Sequence, residues 1–379
     1  MRATRQQALL VRASLLPADA GRAAWQAWRR DADLDQIDRG SARLLPLLWF
    51  NLLANGVRDP WLPRFKGVYR HSWFANQVWM RRVREVQAVL GAVGSQPVFL
   101  KGIALANGYY ANPGLRPMDD LDVLIPVDCV EASLAALAAG GWRSTVDQPQ
   151  LVLRTVHAVE LLSAGGDKLD LHAHLLQGSL DARQDARRRA RAMTLTLADG
   201  RLTVLEPTDQ LLHVLVHGVE SDPPAPRWLA DALVVMRRRP DIDWRRLRAD
   251  AAAESRSLAV AQALDELVEV FGRDGVPVPD AVLNAYRRRR RPSLDVRFEH
   301  HVASGPRVPV IGYVLRRMVD YRRWRRSRAA SAERRAAFET YLGLNWGVAG
   351  RRALLSQAAR RATRTALVDA RAAAAAVRR

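Results

Sequence analysis

The chain has 379 residues, 49% of them hydrophobic, enough for a sizeable core spread over two or three domains. Its formal net charge is +20, and its single cysteine, Cys129, excludes an intramolecular disulfide and points to a reducing cytoplasm. No apolar run reaches membrane-spanning length, and Arg12 interrupts the short apolar run at residues 8–11, so neither a transmembrane segment nor a signal-peptide core is expected.

Residues 1–95 read as a helical N-terminal region. Residues 41–55 carry Leu44, Leu45, Leu47, Leu48 and Phe50 at helical density, with Pro46 in the first turn, where its missing N–H costs nothing. Residues 76–93 form an amphipathic helix that leads into the next strand.

Residues 96–205 hold the chemistry. Residues 96–100 read as a short buried strand, and Lys101 opens a helix whose corner is Gly102. Exposed N–H groups at a helix start bind anions, and glycine lets a phosphate approach the backbone. The chain has only three lysines, Lys66, Lys101 and Lys168, so a lysine at this corner is a chosen residue, suited to meet a triphosphate as a compact charge. Arg116 is placed to grip the same phosphates in bidentate fashion. In residues 120–126, strand alternation turns Leu121, Val123 and Ile125 to a core and projects Asp120 and Asp122 together from the other face. Paired carboxylates raise each other's pKa unless a cation sits between them, which makes them a divalent-metal site, for Mg²⁺ or Mn²⁺. Asp119, of opposite parity, reads as a loop residue.

Residues 156–162, a polar turn at 163–167 and residues 168–175 form a hairpin. Its second arm turns Leu169, Leu171, Ala173 and Leu175 one way and Asp170, His172 and His174 the other, onto an exposed face. Residues 206–275 return to helix: Pro207 sits near a helix start, residues 223–226 mark a loop, and Asp243 with Trp244 opens another helix. His213 and His217 share one side of the first of these helices. Without a third ligand, and with no glutamate after His213, they are packed residues or border a cleft with Asp231, not a zinc site.

Residues 276–379 form an arginine-rich helical region. From Asp280 onward 24 arginines face 7 acidic residues, so +17 of the chain's +20 lies here. Clusters at 286–291 and 321–326 interleave arginine with Tyr286, Tyr321 and Trp324, a composition that neutralises phosphates and stacks on bases, or else forms solvated helix faces. Residues 372–376 are a low-complexity alanine run.

The block from Phe99-Leu100-Lys101-Gly102 through Tyr109, Tyr110, Asn112, Pro113, Gly114, Arg116, Pro117 and Met118 to Asp120-Leu121-Asp122 resembles the uncharacterised nucleotidyltransferase family of the DNA polymerase beta-like superfamily. The likeness continues in Leu169-Asp170-Leu171-His172, in residues 207–213 with His217-Gly218, and in Trp228-Leu229-Ala230-Asp231, over roughly residues 30–260. It implies an α+β fold, a small mixed β-sheet core flanked by N-terminal and C-terminal helical regions, with a glycine turn that grips a nucleotide and three carboxylates that hold divalent metals. Lys101-Gly102 replaces the superfamily's usual Gly-Ser or Gly-Gly, and 18 positions separate Gly102 from Asp120, a wide gap for that signature. Asp170 is the third carboxylate by resemblance and is allowed by strand parity, as a metal ligand or as the base for an attacking hydroxyl. His172 stands on the acceptor side. The expected activity is metal-dependent transfer of a nucleoside monophosphate from an NTP, held by Lys101, Gly102 and Arg116, to a hydroxyl acceptor that is a small molecule, a protein or an RNA. The other function class is a non-catalytic nucleotide or nucleic-acid binder that keeps the fold.

Overall fold

A computed structural model describes residues 2–198, 200–221, 225–288, 317–322, 324–325, 338–348, 350 and 352–360. The chain opens with helices α1 (Arg5–Leu15), α2 (Ala18–Asp31), α3 (Arg39–Ala42), α4 (Leu45–Ala54) and α5 (Leu62–Ala92). Thr4 and Gln7 close a capping box on α1. Pro46 occupies the first turn of α4, as its φ restriction requires. The amphipathic pattern read over residues 76–93 is the second half of α5, which runs for 31 residues.

The core follows as β1 (Val98–Phe99), α6 (Lys101–Gly108), β2 (Leu121–Leu124), α7 (Val130–Ala139), β3 (Arg143–Ser144), α8 (Pro149–Val152), β4 (Ala158–Leu162), β5 (Lys168–His172), α9 (Ala182–Arg191), β6 (Met193–Leu197) and β7 (Gly200–Val204). The strands form one mixed seven-stranded sheet in the order β3-β4-β5-β2-β1-β7-β6. β2 is central, antiparallel to β1 and parallel to β5, and β4 and β5 form the predicted hairpin. The α+β architecture expected from the sequence is the one observed.

Beyond the sheet lie α10 (Pro207–Glu220), α11 (Arg227–Arg238), α12 (Trp244–Ala253), α13 (Ser257–Phe271) and α14 (Asp280–Arg288), with α15 (Phe338–Trp346) further on. Two apolar cores divide the faces of the sheet. Leu121, Val123 and Ile125 join Phe99, Leu169 and Leu171 under Val83, Val86 and Leu90 of α5 and Leu137 of α7. Leu124 and Leu175 join the other core, in which the N-terminal helices and α10 to α14 pack together. β2 is therefore buried on both faces, so the carboxylate of Asp122 lies beneath a helical layer and not on a solvated surface.

Gly218 shows how close that layer is. A Cβ there would stand 2.3 Å from Trp228 Cγ, across the α10–α11 contact. Gly218→Ala should lower stability by about 1–3 kcal/mol through overpacking, read as a reduced urea midpoint.

Among the described residues, the rings read with the arginine clusters, Tyr286, Tyr321 and Trp324, pack against the protein's own side chains. Tyr286 is buried in the helical core, and Trp324 is buried with its Nε1 donating to the Arg154 carbonyl at 3.0 Å. Tyr321 packs on Trp324 and Tyr341. Residues 289–291, 323 and 326 of the arginine clusters, the alanine run at 372–376 and residues 222–224 of the proline loop lie outside the described residues. Among the described residues, no helix is long and apolar enough to cross a membrane.

Candidate functional site

The register of β2 against β5 sets Asp122 beside Asp170 and Leu124 beside His172. β1 delivers the third participant. Leu100 donates its N–H to the Asp122 carbonyl at 2.9 Å, and the chain then turns sharply into α6. That turn is made at Lys101, whose φ of +42° is left-handed although it carries a side chain. The conformation costs a non-glycine residue roughly 1–2 kcal/mol, the kind of strain retained at functional positions. It brings Lys101 Nζ to 2.6 Å from Asp122 Oδ1, and His172 Nε2 donates to the same oxygen at 3.1 Å. Asp122 Oδ2 is buried and has no hydrogen-bond partner.

Asp122, Asp170 and His172 each offer a ligand atom, and these atoms lie within 4.8 Å of one another. A buried carboxylate oxygen without a partner, next to a second carboxylate and an imidazole, fits a divalent cation. His172 Nδ1 faces the His174 carbonyl at 3.4 Å, an outer contact that would hold the ring while Nε2 exchanges its hydrogen bond to Asp122 for a cation. The nitrogen donor favours Mn²⁺ or a later transition ion over Mg²⁺, which prefers oxygen alone. Asp120 is outside this tight group, although its charge acts on both Lys101 and Asp170.

Burial and then mutual repulsion order the carboxylates electrostatically. Burial works against the charge on Asp122, but Lys101 and His172 outweigh it and hold its carboxyl far below the usual range. Burial and the neighbouring Asp122 push Asp170 up to about 6 and raise Asp120 as well. Burial also works against the Lys101 ammonium, yet Asp122, Asp170 and Asp120 together raise its pKa.

For Asp170 the folded pKa exceeds the unfolded value of about 3.9. The extra proton stabilises the fold fully below that value, and the contribution is lost as pH rises through about 6. At pH 7.5 without divalent ions, Asp170→Asn should therefore be more stable than wild type by on the order of 1 kcal/mol, measured by urea unfolding. The same proton competes with a cation, so Mn²⁺ affinity should fall by about tenfold per pH unit below 6, measured by titration calorimetry at pH 5 and 7.5.

Three expected site residues behave differently from their sequence reading. Arg116 is fully buried, and its fork is taken by Asp231 of α11: Nε lies 2.8 Å from Oδ1 and Nη2 lies 2.9 Å from Oδ2. Its remaining nitrogen, Nη1, faces Gly102. The space that Gly102 leaves open is filled by Met118, whose Cγ lies 2.8 Å from where a Cβ would stand, so the glycine serves close packing of helix against loop. His172 is 1% exposed, because α10 covers that end of the strand.

One cluster was not read from the sequence as a unit. A water-sized cavity of about 10 Å³ is lined by Lys101, His157, His172, His213, His217 and Glu220, together with Leu175, Leu176, Gln177 and Val216. Burial first, then the Lys101 charge, pushes His217 down to about 3. Burial first, with the Lys101 charge among the neighbours that add to it, holds His157 and His213 well below the ordinary histidine value. The imidazoles of His157, His213 and His217 therefore stand beside Lys101 in their neutral form, with the Glu220 carboxylate on the same wall. His157 had a readable signal: it immediately precedes β4, where the register pairs Ala158 with His172.

Residues 40–272 match the family described as uncharacterised nucleotidyltransferase. Among solved structures, the chain is similar to an antigenic nucleotidyltransferase-like protein from Paracoccidioides brasiliensis. The two are 15% identical with a TM-score of 0.33, over 53% of this chain and 88% of that one. No curated protein matches the chain.

Proposed function

The chain belongs to the uncharacterised nucleotidyltransferase family, and from that membership we propose that it transfers a nucleoside monophosphate from an NTP to a hydroxyl acceptor. The observation that carries this reading is the convergence of Asp122, Asp170 and His172 next to the ammonium of Lys101. Asp122, Asp170 and His172 would hold a divalent cation, with Asp120 adding negative charge beside them. When bound, that cation would neutralise the charge of the transferred phosphoryl group and of the departing pyrophosphate.

The protein's own groups have separable tasks. Lys101 supplies a fixed positive charge at the start of α6, where the N–H groups of the first turn are not capped by a side chain and favour an anion. Asp170 would be held ionised by the bound cation, and its carboxylate oxygen away from the cation would suit removal of a proton from an acceptor hydroxyl. Arg116 acts at one remove: tied to Asp231, it fixes the segment that leads into β2. His172 holds Asp122 through Nε2 and would exchange that hydrogen bond for a place in the ligand set when a cation is bound, in place of a solvent-side role toward the acceptor.

The test is transfer of label. Incubation with Mn²⁺ or Mg²⁺, cell extract fractionated into RNA, protein and small molecules, and NTP labelled at either the α or the γ phosphorus distinguishes the possible reactions. Appearance of α label but not γ label in one fraction, dependent on the metal, is the expected result. Binding of nucleotide with no covalent label in any fraction would instead favour a non-catalytic binder.

A further inference from the structure

Four arginines approach the segment before β2, and three of them already have a carboxylate. Arg116 is held bidentately by Asp231. Arg39 and Arg43 both contact Asp119, the loop residue of opposite parity, with Arg39 Nη2 at 2.6 Å from Oδ2. Arg227, the first residue of α11, is the exception. Its Nη1 donates to the Pro117 carbonyl at 2.8 Å, and among the described residues it forms no ion pair. Yet Asp120 feels Arg227 and Arg43, together with Lys101, as its attracting cations.

Burial, followed by repulsion from Arg116, pushes Arg227 down to about 9, so the local field favours an added anion. Lys101 is itself engaged by Asp122, and Arg116 by Asp231, so neither offers its whole donor set to a phosphate chain.

We propose that Arg227 binds the polyphosphate tail of the nucleotide, the role that the sequence assigned to Arg116. This rests on the nucleotidyl-transfer reading for the identity of the ligand but makes a separate prediction. Arg227 selects polyphosphate over monophosphate through two or more charge-assisted hydrogen bonds from its fork.

The experiment is equilibrium binding of inorganic tripolyphosphate, ATP and AMP, each with Mn²⁺, to wild type, Arg227→Ala and Arg227→Gln. Tripolyphosphate and ATP affinity should fall by about tenfold or more in both variants, and AMP affinity should hold within about twofold. Arg227→Gln retains a donor for the Pro117 carbonyl, so it reports on the charge if the alanine variant does not fold. Wild-type tripolyphosphate affinity in the folded glutamine variant would overturn the proposal, as would absence of tripolyphosphate binding by wild type. Loss of binding in both variants with no α-label transfer by wild type would leave Arg227 as the polyphosphate residue and remove the transferase reading instead.

Discussion

Asp122→Asn should reduce metal-dependent label transfer by about a thousandfold or more, since charge stabilisation by a catalytic cation is worth several kcal/mol. Asp122 is the member of the group to which everything else refers. Lys101 and His172 both bind its Oδ1, its Oδ2 is the buried oxygen without a partner, and Asp170 owes part of its raised pKa to it. The amide keeps the shape and the hydrogen bond from His172 but contributes no charge, so the cation loses its strongest ligand. The fold should survive. Lys101 keeps a partly exposed ammonium that can turn outward, and Asp170 is relieved of a repelling neighbour. Rate measurements with α-labelled NTP, alongside a melting curve, read the two effects separately. A variant that melts like wild type and retains its transfer rate would remove Asp122 from the mechanism.

The largest effect on stability should come from Asp231. Asp231→Ala leaves the buried Arg116 guanidinium and the Tyr110 hydroxyl, which donates to Asp231 at 2.7 Å, without their partner. Removing one member of a buried pair costs about 3–5 kcal/mol, far more than a surface pair is worth. The charges of Arg116 and Arg227 would then face each other with less compensation. Replacing both partners together, as Arg116→Met with Asp231→Leu, should recover much of the loss, because the double change leaves neither charge of the pair stranded. Equilibrium urea unfolding of the two single variants and the double variant gives the coupling directly. The pair also ties the Arg116–Asp120 segment to α11, and the Asn76 amide holds that segment from the other side through the Pro113 and Arg116 carbonyls at 2.7 and 3.0 Å. Transfer activity should therefore fall in Asp231→Ala even at temperatures where the variant remains folded.

Much of the sheet was legible because strand alternation is local. Parity alone placed Leu121, Val123 and Ile125 in a core, and the hairpin reading gave Asp170 the orientation that its register with Asp122 bears out. What parity does not contain is the identity of the layer on the other face. His172 was expected on an exposed edge and is buried, because α10 begins 35 positions later in the sequence and folds back over it. Arg116 illustrates the same limit: its partner lies 115 residues away. A signal was present, however, in the isolated Asp231 within the apolar run of α11, since a charge at such a position needs a buried partner. Gly102 was expected to open the strand-to-helix corner to a phosphate, whereas Lys101 takes the left-handed turn there and the glycine is needed for contact with Met118. The aromatic residues among the C-terminal arginines matched the composition of a base-stacking surface, but composition does not tell an exposed ring from one packed internally.

The central claim is that Asp122, Asp170 and His172 hold the catalytic cation. Anomalous scattering from crystals of the protein grown with Mn²⁺ and a non-hydrolysable NTP tests it most directly. The account predicts a manganese peak bonded to carboxylate oxygens of Asp122 and Asp170 and to His172 Nε2, with the nucleotide's phosphate chain running from that ion toward Arg227. Manganese bound elsewhere while Lys101 keeps its ion pair with Asp122 would contradict it.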